Sequence, residues 1–354
     1  MKYRQLQQVI AFSLTNQRKS GCMSYAPDGK IMTDEKDLLL LKEKGLRGEG
    51  VTREEADRLA VYPDLDKVCD AAGEICRRWQ GREVDSCSIV SARSGRCGED
   101  CKWCAQASRH HTGCVTYNFL DTDDVLKAAE ANSSAGIRRF SLVTSGRTVT
   151  KKDLEKFCEV FRELSEKTDL YLCASMGLLE EEEMQMLRDA GVKRYHCNME
   201  TSSKVFPTLC TTHTPEDKIR TIGYARKCGM EVCSGGIIGM GESLADRLDF
   251  AFELAALDVD SVPINILNPI PGTPLENTPL ISEEDIIRTV ALFRFIMPKK
   301  SLRFAGGRMR LSHESMLRIM TGGMNGVLMG DMLTTVSNTI ADDRRLFKEA
   351  GLEF

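Results

Sequence analysis

Long apolar runs are missing from this 354-residue sequence. No stretch approaches the length a transmembrane helix needs, so no membrane span or membrane partner is expected. The opening segment, Met1 to Gln17, is mildly apolar at Ile10, Ala11, Phe12 and Leu14. It lacks the h-region and small-residue cleavage site of a secretory signal, so the expected compartment is the cytoplasm. A strong charge bias is missing too. Lys+Arg number 48 against 52 Asp+Glu, a net charge of −4, which points away from nucleic acid or another polyanion as partner. Histidine is scarce, at five, and no pair stands at zinc-knuckle spacing. No second C-x2-C accompanies the one at Cys101 and Cys104, which argues against a four-ligand structural zinc. No G-x-G-x-x-G follows the first strand-like run, which disfavours an open dinucleotide-binding sheet.

Cysteine, by contrast, is abundant, with fourteen residues. In a chain without export signals, that richness favours metal ligation over disulfides. Three of them stand in one loop, Cys97-Gly98-Glu99-Asp100-Cys101-Lys102-Trp103-Cys104, with the spacing C-x3-C-x2-C. Three thiolates so close converge on one soft metal centre and fill three irons of a 4Fe–4S cubane, leaving the fourth open to a small molecule. An aromatic just before the last cysteine matches the pattern of radical S-adenosylmethionine (SAM) enzymes.

The length suits one large α/β unit. Residues 1–33 read as irregular, and two helices are expected after them. Thr52-Arg53-Glu54-Glu55 reads as a capping box opening one, and the other runs from about Asp64 to Trp79. A strand–helix rhythm then begins. Strand-like runs are Ser86–Val90, Arg139–Thr144, Leu170–Ala174, Arg194–Met199, Glu231–Ile238, Ser261–Ile266, Ser301–Phe304 and Gly326–Met329. Amphipathic stretches separate them, and Gly136, Gly191 and Gly229 each fall where a helix C-terminal glycine belongs. Eight such strands imply a (β/α)8 barrel, expected over 81–354, preceded by an N-terminal extension and helical cap over 1–80. The cysteine loop follows the first strand, at the barrel end where active sites sit.

The loop Cys97–Ser108, CGEDCKWCAQAS, closely resembles that of the biotin synthase family. Tyr195-His196-Cys197-Asn198-Met199-Glu200 is similar to that family's fourth-strand motif, and Val232-Cys233-Ser234-Gly235-Gly236-Ile237 to its fifth. Val262-Pro263-Ile264-Asn265 resembles the sixth, and Arg303-Phe304-Ala305-Gly306-Gly307-Arg308 the seventh. The series runs in order from about residue 50 to 350. The resemblance implies a sulfurtransferase that inserts sulfur between two unactivated carbons of dethiobiotin. A 4Fe–4S cluster on Cys97, Cys101 and Cys104 would bind and cleave SAM, and an auxiliary iron–sulfur cluster would donate the sulfur. By position, Asn198 and Glu200 would hold the ribose, and Trp103 and backbone near Ile237 the adenine. Lys218 would stand where the family has an arginine near the methionine carboxylate, with Arg220 a candidate helper. Asn198 and Asn265 would bind the ureido ring, and His196 would contact substrate. A flavodoxin- or ferredoxin-type electron donor and a homodimer are also implied.

One departure from the family pattern matters. The usual auxiliary 2Fe–2S cluster has three cysteines and one arginine. Cys173, Cys233 and Arg303 match, but Ser141 stands where the remaining cysteine belongs. Cys87 and Cys197 appear on strands where the family has none. The expectation is an auxiliary cluster held by Cys87, Cys173, Cys233 and Cys197, with Arg303 nearby, and larger than 2Fe–2S if all four thiolates serve. Cys69, Cys76, Cys158 and Cys228 read as packing, Cys22 as exposed, and Cys114 and Cys210 as residues of loops on the functional face. His110, His111, His213 and His313 read as surface or loop residues. The alternatives are a related radical enzyme (hydrogenase maturase-like or methylornithine synthase-like) and a nonenzymatic iron–sulfur carrier.

Overall fold

The computed structural model describes residues 35–330 and 339–354. The expected irregular stretch at 1–33, with Cys22, lies outside them. Eight parallel strands close into a barrel. They are β1 (Asp85–Arg93), β2 (Arg139–Thr144), β3 (Tyr171–Ser175), β4 (Arg194–His196), β5 in two segments (Glu231–Cys233 and Gly236–Ile238), β6 (Ser261–Ile266), β7 (Ser301–Phe304) and β8 (Gly326–Leu328). Each pairs with the next, and β8 pairs back onto β1 through Ser86 and Val327, so the sheet has no open edge.

Two differences from the sequence reading concern strands. β4 stops at His196 instead of continuing to Met199, because the chain turns into the site, and Glu200 adopts a φ of 74°. β5 breaks at Ser234-Gly235, where the backbone passes against its neighbours. A Cβ on Gly236 would lie 2.1 Å from the Glu200 carbonyl oxygen, so only glycine fits.

The helices follow their predicted starts. Thr52, Thr214, Ser243 and Thr339 each close a capping box. Three helices precede the barrel where two were expected: α1 (Glu35–Leu46), α2 (Arg53–Ala60) and α3 (Leu65–Gln80). The additional one, α1, buries only Leu38, Leu41 and Gly45, packed on α3. Trp79 at the end of α3 donates to the Gly45 carbonyl at 2.9 Å. α3 also packs on Glu283–Ile296, which covers the barrel between β6 and β7.

Strand periodicity divides the barrel chemically. Outward positions (Phe140, Leu142, Leu172, Val232, Val262, Ile264, Leu302, Phe304) join the core under the helices, with Phe157, Phe161, Val290 and Phe293. Each such side chain contributes about 2 kcal/mol by leaving water. Inward positions read differently: Asp85, Cys87 and Ile89 on β1; Arg139 and Ser141 on β2; Tyr171 and Cys173 on β3; Arg194 and His196 on β4; Cys233, Pro263, Asn265 and Arg303 beyond. Buried charge there costs several kcal/mol per group unless paired, so the interior is not built for stability.

Candidate active site

A cavity of about 370 Å³ runs down the barrel axis. Cys97, Cys101 and Cys104 line its mouth, Asn198, Glu200, Lys218 and Asn265 its middle, and Cys87, Cys233 and Arg303 its floor. A second cavity of about 240 Å³ adjoins it between Trp103, Ile237, Asn265 and Gly306.

At the mouth, the loop after β1 is folded back on itself. The Cys97 amide donates to Gln106 O at 3.1 Å, Ser108 N to Cys97 O at 2.8 Å, and Cys104 N to Cys101 O at 3.0 Å. All three cysteines of the closed loop line the cavity. Burial pushes the Cys101 thiol up, with Cys210 and Cys104 adding to the effect, and pushes Cys104 up to about 11. Thiols held protonated in this way release protons when they ligate metal. Three convergent sulfurs without a fourth cysteine in the loop suit an open-iron cubane.

The middle of the cavity is polar but well tied. Lys218, buried, donates to Asn198 O at 2.7 Å and lies 5.4 Å from the centre of the Phe206 ring. Arg220 is on the surface, paired with Asp217 at 2.6 Å, and does not reach the site. Burial pushes Glu200 up, while Lys218 and a hydrogen bond from Asn198 pull the other way. Glu200 holds its positive φ because both its N–H and its C=O are fixed, to Gly235 O and from Ile237 N, each at 2.9 Å. Asn265 is not an amide without partners. Its Nδ2 donates to Gly236 O at 3.0 Å, and its Oδ1 accepts from Gly306 N at 2.8 Å. One N–H and one lone pair remain for a ligand. Trp103 stands edge-on to Phe206, with Leu209, Ile237, Met240 and Leu267 around it.

On the floor, Cys87, Cys173 and Cys233 come together from β1, β3 and β5. Burial raises the thiols of Cys87 and Cys173. Three arginines stand beside them. Arg303 donates to Asp85 Oδ2 at 2.7 Å, Arg139 pairs with the other Asp85 oxygen, and Arg194 pairs with Glu231. Burial raises the Asp85 carboxyl, yet Arg303, Arg139 and Arg194 together hold it below the usual range. Burial and the same three arginines drive His196 down to about 3, so its ring is neutral.

Buried polar atoms without a partner gather on this floor: Ser141 Oγ, His196 Nε2, Arg139 Nε and Arg303 Nε. A buried polar atom left unpaired costs about 1–3 kcal/mol. Several of them facing three thiols, with three guanidiniums against two carboxylates, fit a bound anionic group such as a thiolate-ligated iron–sulfur cluster.

Cys197 does not join that floor. It follows the last residue of β4, His196, and lines the same cavity beside Asn198. It is buried at the edge of the main core, with its Sγ 3.9 Å from Lys218 O, and its thiol is raised by burial and Glu200 against Lys218. Its charged neighbours are Lys218 and Glu200, not the thiols of Cys87, Cys173 and Cys233, which sets it apart from the expected ligand set.

Other placements differ as well. His213, expected in a surface or loop position, is a loop residue but is buried in the site. Its Nδ1 lies 2.5 Å from Glu99 Oε2. Cys210 lies with its Sγ 3.7 Å from that of Cys101. Of the helical cysteines, Cys69, Cys76 and Cys158 are buried, and Cys228 is half-buried at a helix end. Sequence reading missed the ionic layer of Asp85, Arg139, Arg194 and Glu231. The signal was present as charges at every second residue of apolar strands, in register with the cysteines.

Comparison with known proteins agrees with this geometry. The radical SAM superfamily model matches residues 92–254, and the biotin and thiamin synthesis associated domain matches residues 263–353. A biotin synthase of Porphyromonas gingivalis is 47% identical over 88% of this chain and 95% of its own length. One of Acetivibrio thermocellus is 48% identical over 90% and 99%.

The chain belongs to the biotin synthase family.

Membership brings a 4Fe–4S cluster and SAM to the mouth of the barrel. Among solved structures, a methylornithine synthase aligns with a TM-score of 0.77 at 18% identity, covering 88% of this chain and 96% of that one. The likeness is one of fold, which biotin synthases therefore share with an enzyme of another name.

Proposed function

We infer that this chain is a radical SAM sulfurtransferase that converts dethiobiotin to biotin. The observation that carries the reading is the single cavity joining a three-cysteine loop at the barrel mouth to a second set of thiols on its floor. A carrier would need neither the barrel nor the second set. Bound together, the cubane and SAM supply a radical able to break unactivated C–H bonds, which no side chain can do.

The residues then divide the work. Cys97, Cys101 and Cys104 hold the cubane. Glu200 and Asn198 position the ribose, and Trp103 and Ile237 wall the adenine in the adjoining cavity. Lys218 supplies the charge for the methionine carboxylate, as a point charge in place of a guanidinium fork. The spare N–H and lone pair of Asn265, with Asn198 and neutral His196, suit the donor and acceptor edges of a ureido ring. Ile89, Ala305 and Leu328 form an apolar strip inside the barrel on which the methylene chain would lie.

The auxiliary cluster is assigned to Cys87, Cys173 and Cys233, with Arg303 beside them. Ser141 and His196 carry the remaining unpartnered atoms facing the same space. Arg139, Arg194 and Arg303 would offset its negative charge. By the same resemblance, electrons come from a flavodoxin- or ferredoxin-type donor to a cytoplasmic homodimer, which light scattering would check. The test of the whole reading is direct. The anaerobically reconstituted enzyme, with SAM and a reductant, should form biotin from dethiobiotin, and the gene should rescue a biotin auxotroph fed dethiobiotin. A reconstituted enzyme that cleaves SAM but leaves dethiobiotin intact would refute it.

A further inference from the structure

Beside the mouth, but directed away from the cavity's centre, stands a second group of metal-type ligands. Sγ of Cys101, Sγ of Cys210 and a ring nitrogen of His213 all lie within 4.8 Å of one another. The two sulfurs are 3.7 Å apart. A tetrahedral zinc with Zn–S bonds of about 2.3 Å sets its sulfurs roughly 3.8 Å apart, so this pair is already at ligating separation. Cys210 Sγ is 3.3 Å from His213 Nδ1 and 4.0 Å from Nε2.

The surroundings hold these ligands in place. Glu99 Oε2 meets His213 Nδ1 at 2.5 Å and accepts from Thr212 Oγ1 at 2.7 Å. A carboxylate on Nδ1 is the usual orienting partner of a histidine that ligates through Nε2. Asp100 accepts from Thr211 N at 2.9 Å, Thr212 N at 3.2 Å and Cys210 Sγ at 3.2 Å, which fixes the 210–213 loop on the cysteine loop. Cys210 and His213 are both buried, so neither is an incidental surface group.

We propose that Cys101, Cys210 and His213 form a single-ion site for a divalent borderline-soft cation, Zn²⁺ or Fe²⁺, in the cluster-free chain. The site and the cubane exclude each other, because Cys101 serves both. Occupancy by one ion therefore blocks cubane assembly at the mouth until that ion leaves. The inference rests on the proposed cubane ligation only for this competition; ion binding itself does not depend on it.

Full-length protein, stripped of iron and kept anaerobic and reduced, is titrated with Co²⁺. One equivalent should give thiolate-to-cobalt charge transfer and tetrahedral ligand-field bands. Cys210→Ala and His213→Asn should lose them, and Cys97→Ala should keep them. In the wild-type chain, one equivalent of Zn²⁺ should shield Cys101 from alkylation while Cys104 stays reactive. The same Zn²⁺ should slow cubane formation several-fold, with a chelator restoring the rate. Unchanged cobalt bands in Cys210→Ala, equal shielding of Cys101 and Cys104, or absence of charge transfer in the wild type would each overturn the site. None of these readouts uses dethiobiotin, so failure here leaves the biotin-forming reading standing, and the converse holds.

Discussion

At the residue scale, two cysteines that depart from the family pattern, Cys87 and Cys197, have different surroundings. Cys197, just past the end of β4, is buried at the edge of the main core and of the cavity, with Lys218 and Glu200 as its charged neighbours. Cys87 shares the inward parity of Asp85 and Ile89 and meets Cys173 and Cys233. Replacing Cys87 by Ala should remove the auxiliary cluster's iron and sulfide, while Cys197→Ala should retain the full complement. Iron and sulfide analysis with Mössbauer spectra reads the difference, and loss of auxiliary iron in Cys197→Ala would contradict the assignment. The three-cysteine loop and the substitution of Ser141 were legible from spacing and resemblance. Which way Cys197 points was not, because β4 ends at His196 and no local pattern marks that end. The pairing of Asn265 with Gly236 and Gly306 was hidden for a related reason: both partners are backbone groups brought in by other strands.

At the scale of elements, the capping box at Thr52, the helical periodicity and the helix-end glycines placed the helices well, since those signals act within a few residues. α1 was missed because it buries so few side chains and is held by tertiary contact with α3. A different long-range tie joins Leu244–Ala256 to the loop after β4. Glu253 accepts from Ser203 N at 3.1 and 2.9 Å and from Ser203 Oγ at 3.0 Å. Burial nevertheless pushes its carboxyl up to about 7 from an ordinary 4.5. Between those values the folded chain binds more protons than the unfolded one, so this group's contribution to stability falls as pH rises from about 4.5 to about 7. Glu253→Gln should flatten that decline and be the more stable form at pH 8, by about 3 kcal/mol at most. Urea unfolding of both proteins at pH 5 and pH 8 measures it, and an equal pH dependence would contradict the buried-carboxyl account.

At the scale of the whole molecule, closure depends on the last helix. Ile340–Glu349 carries Asp343, which grips Arg308 by two bonds of 2.5 and 2.7 Å, and Arg308 in turn donates to Leu328 O at 3.0 Å on β8. Both members of the pair are buried. Asp343→Ala removes both of these buried charge-assisted bonds and should cost at least about 1.5–3 kcal/mol, read as a lower guanidinium-chloride midpoint. Loss of under 1 kcal/mol would mean that the helix is not what secures β8.

The ionic layer beneath Cys87, Cys173 and Cys233 has a consequence for chronology. Asp85 with Arg139, and Arg194 with Glu231, pair across the lower end of the barrel, beneath the cavity whose mouth the three-cysteine loop lines. The loop cysteines and the floor thiols Cys87 and Cys233 share that one cavity. On the assignment proposed above, the expected order of maturation is floor before mouth.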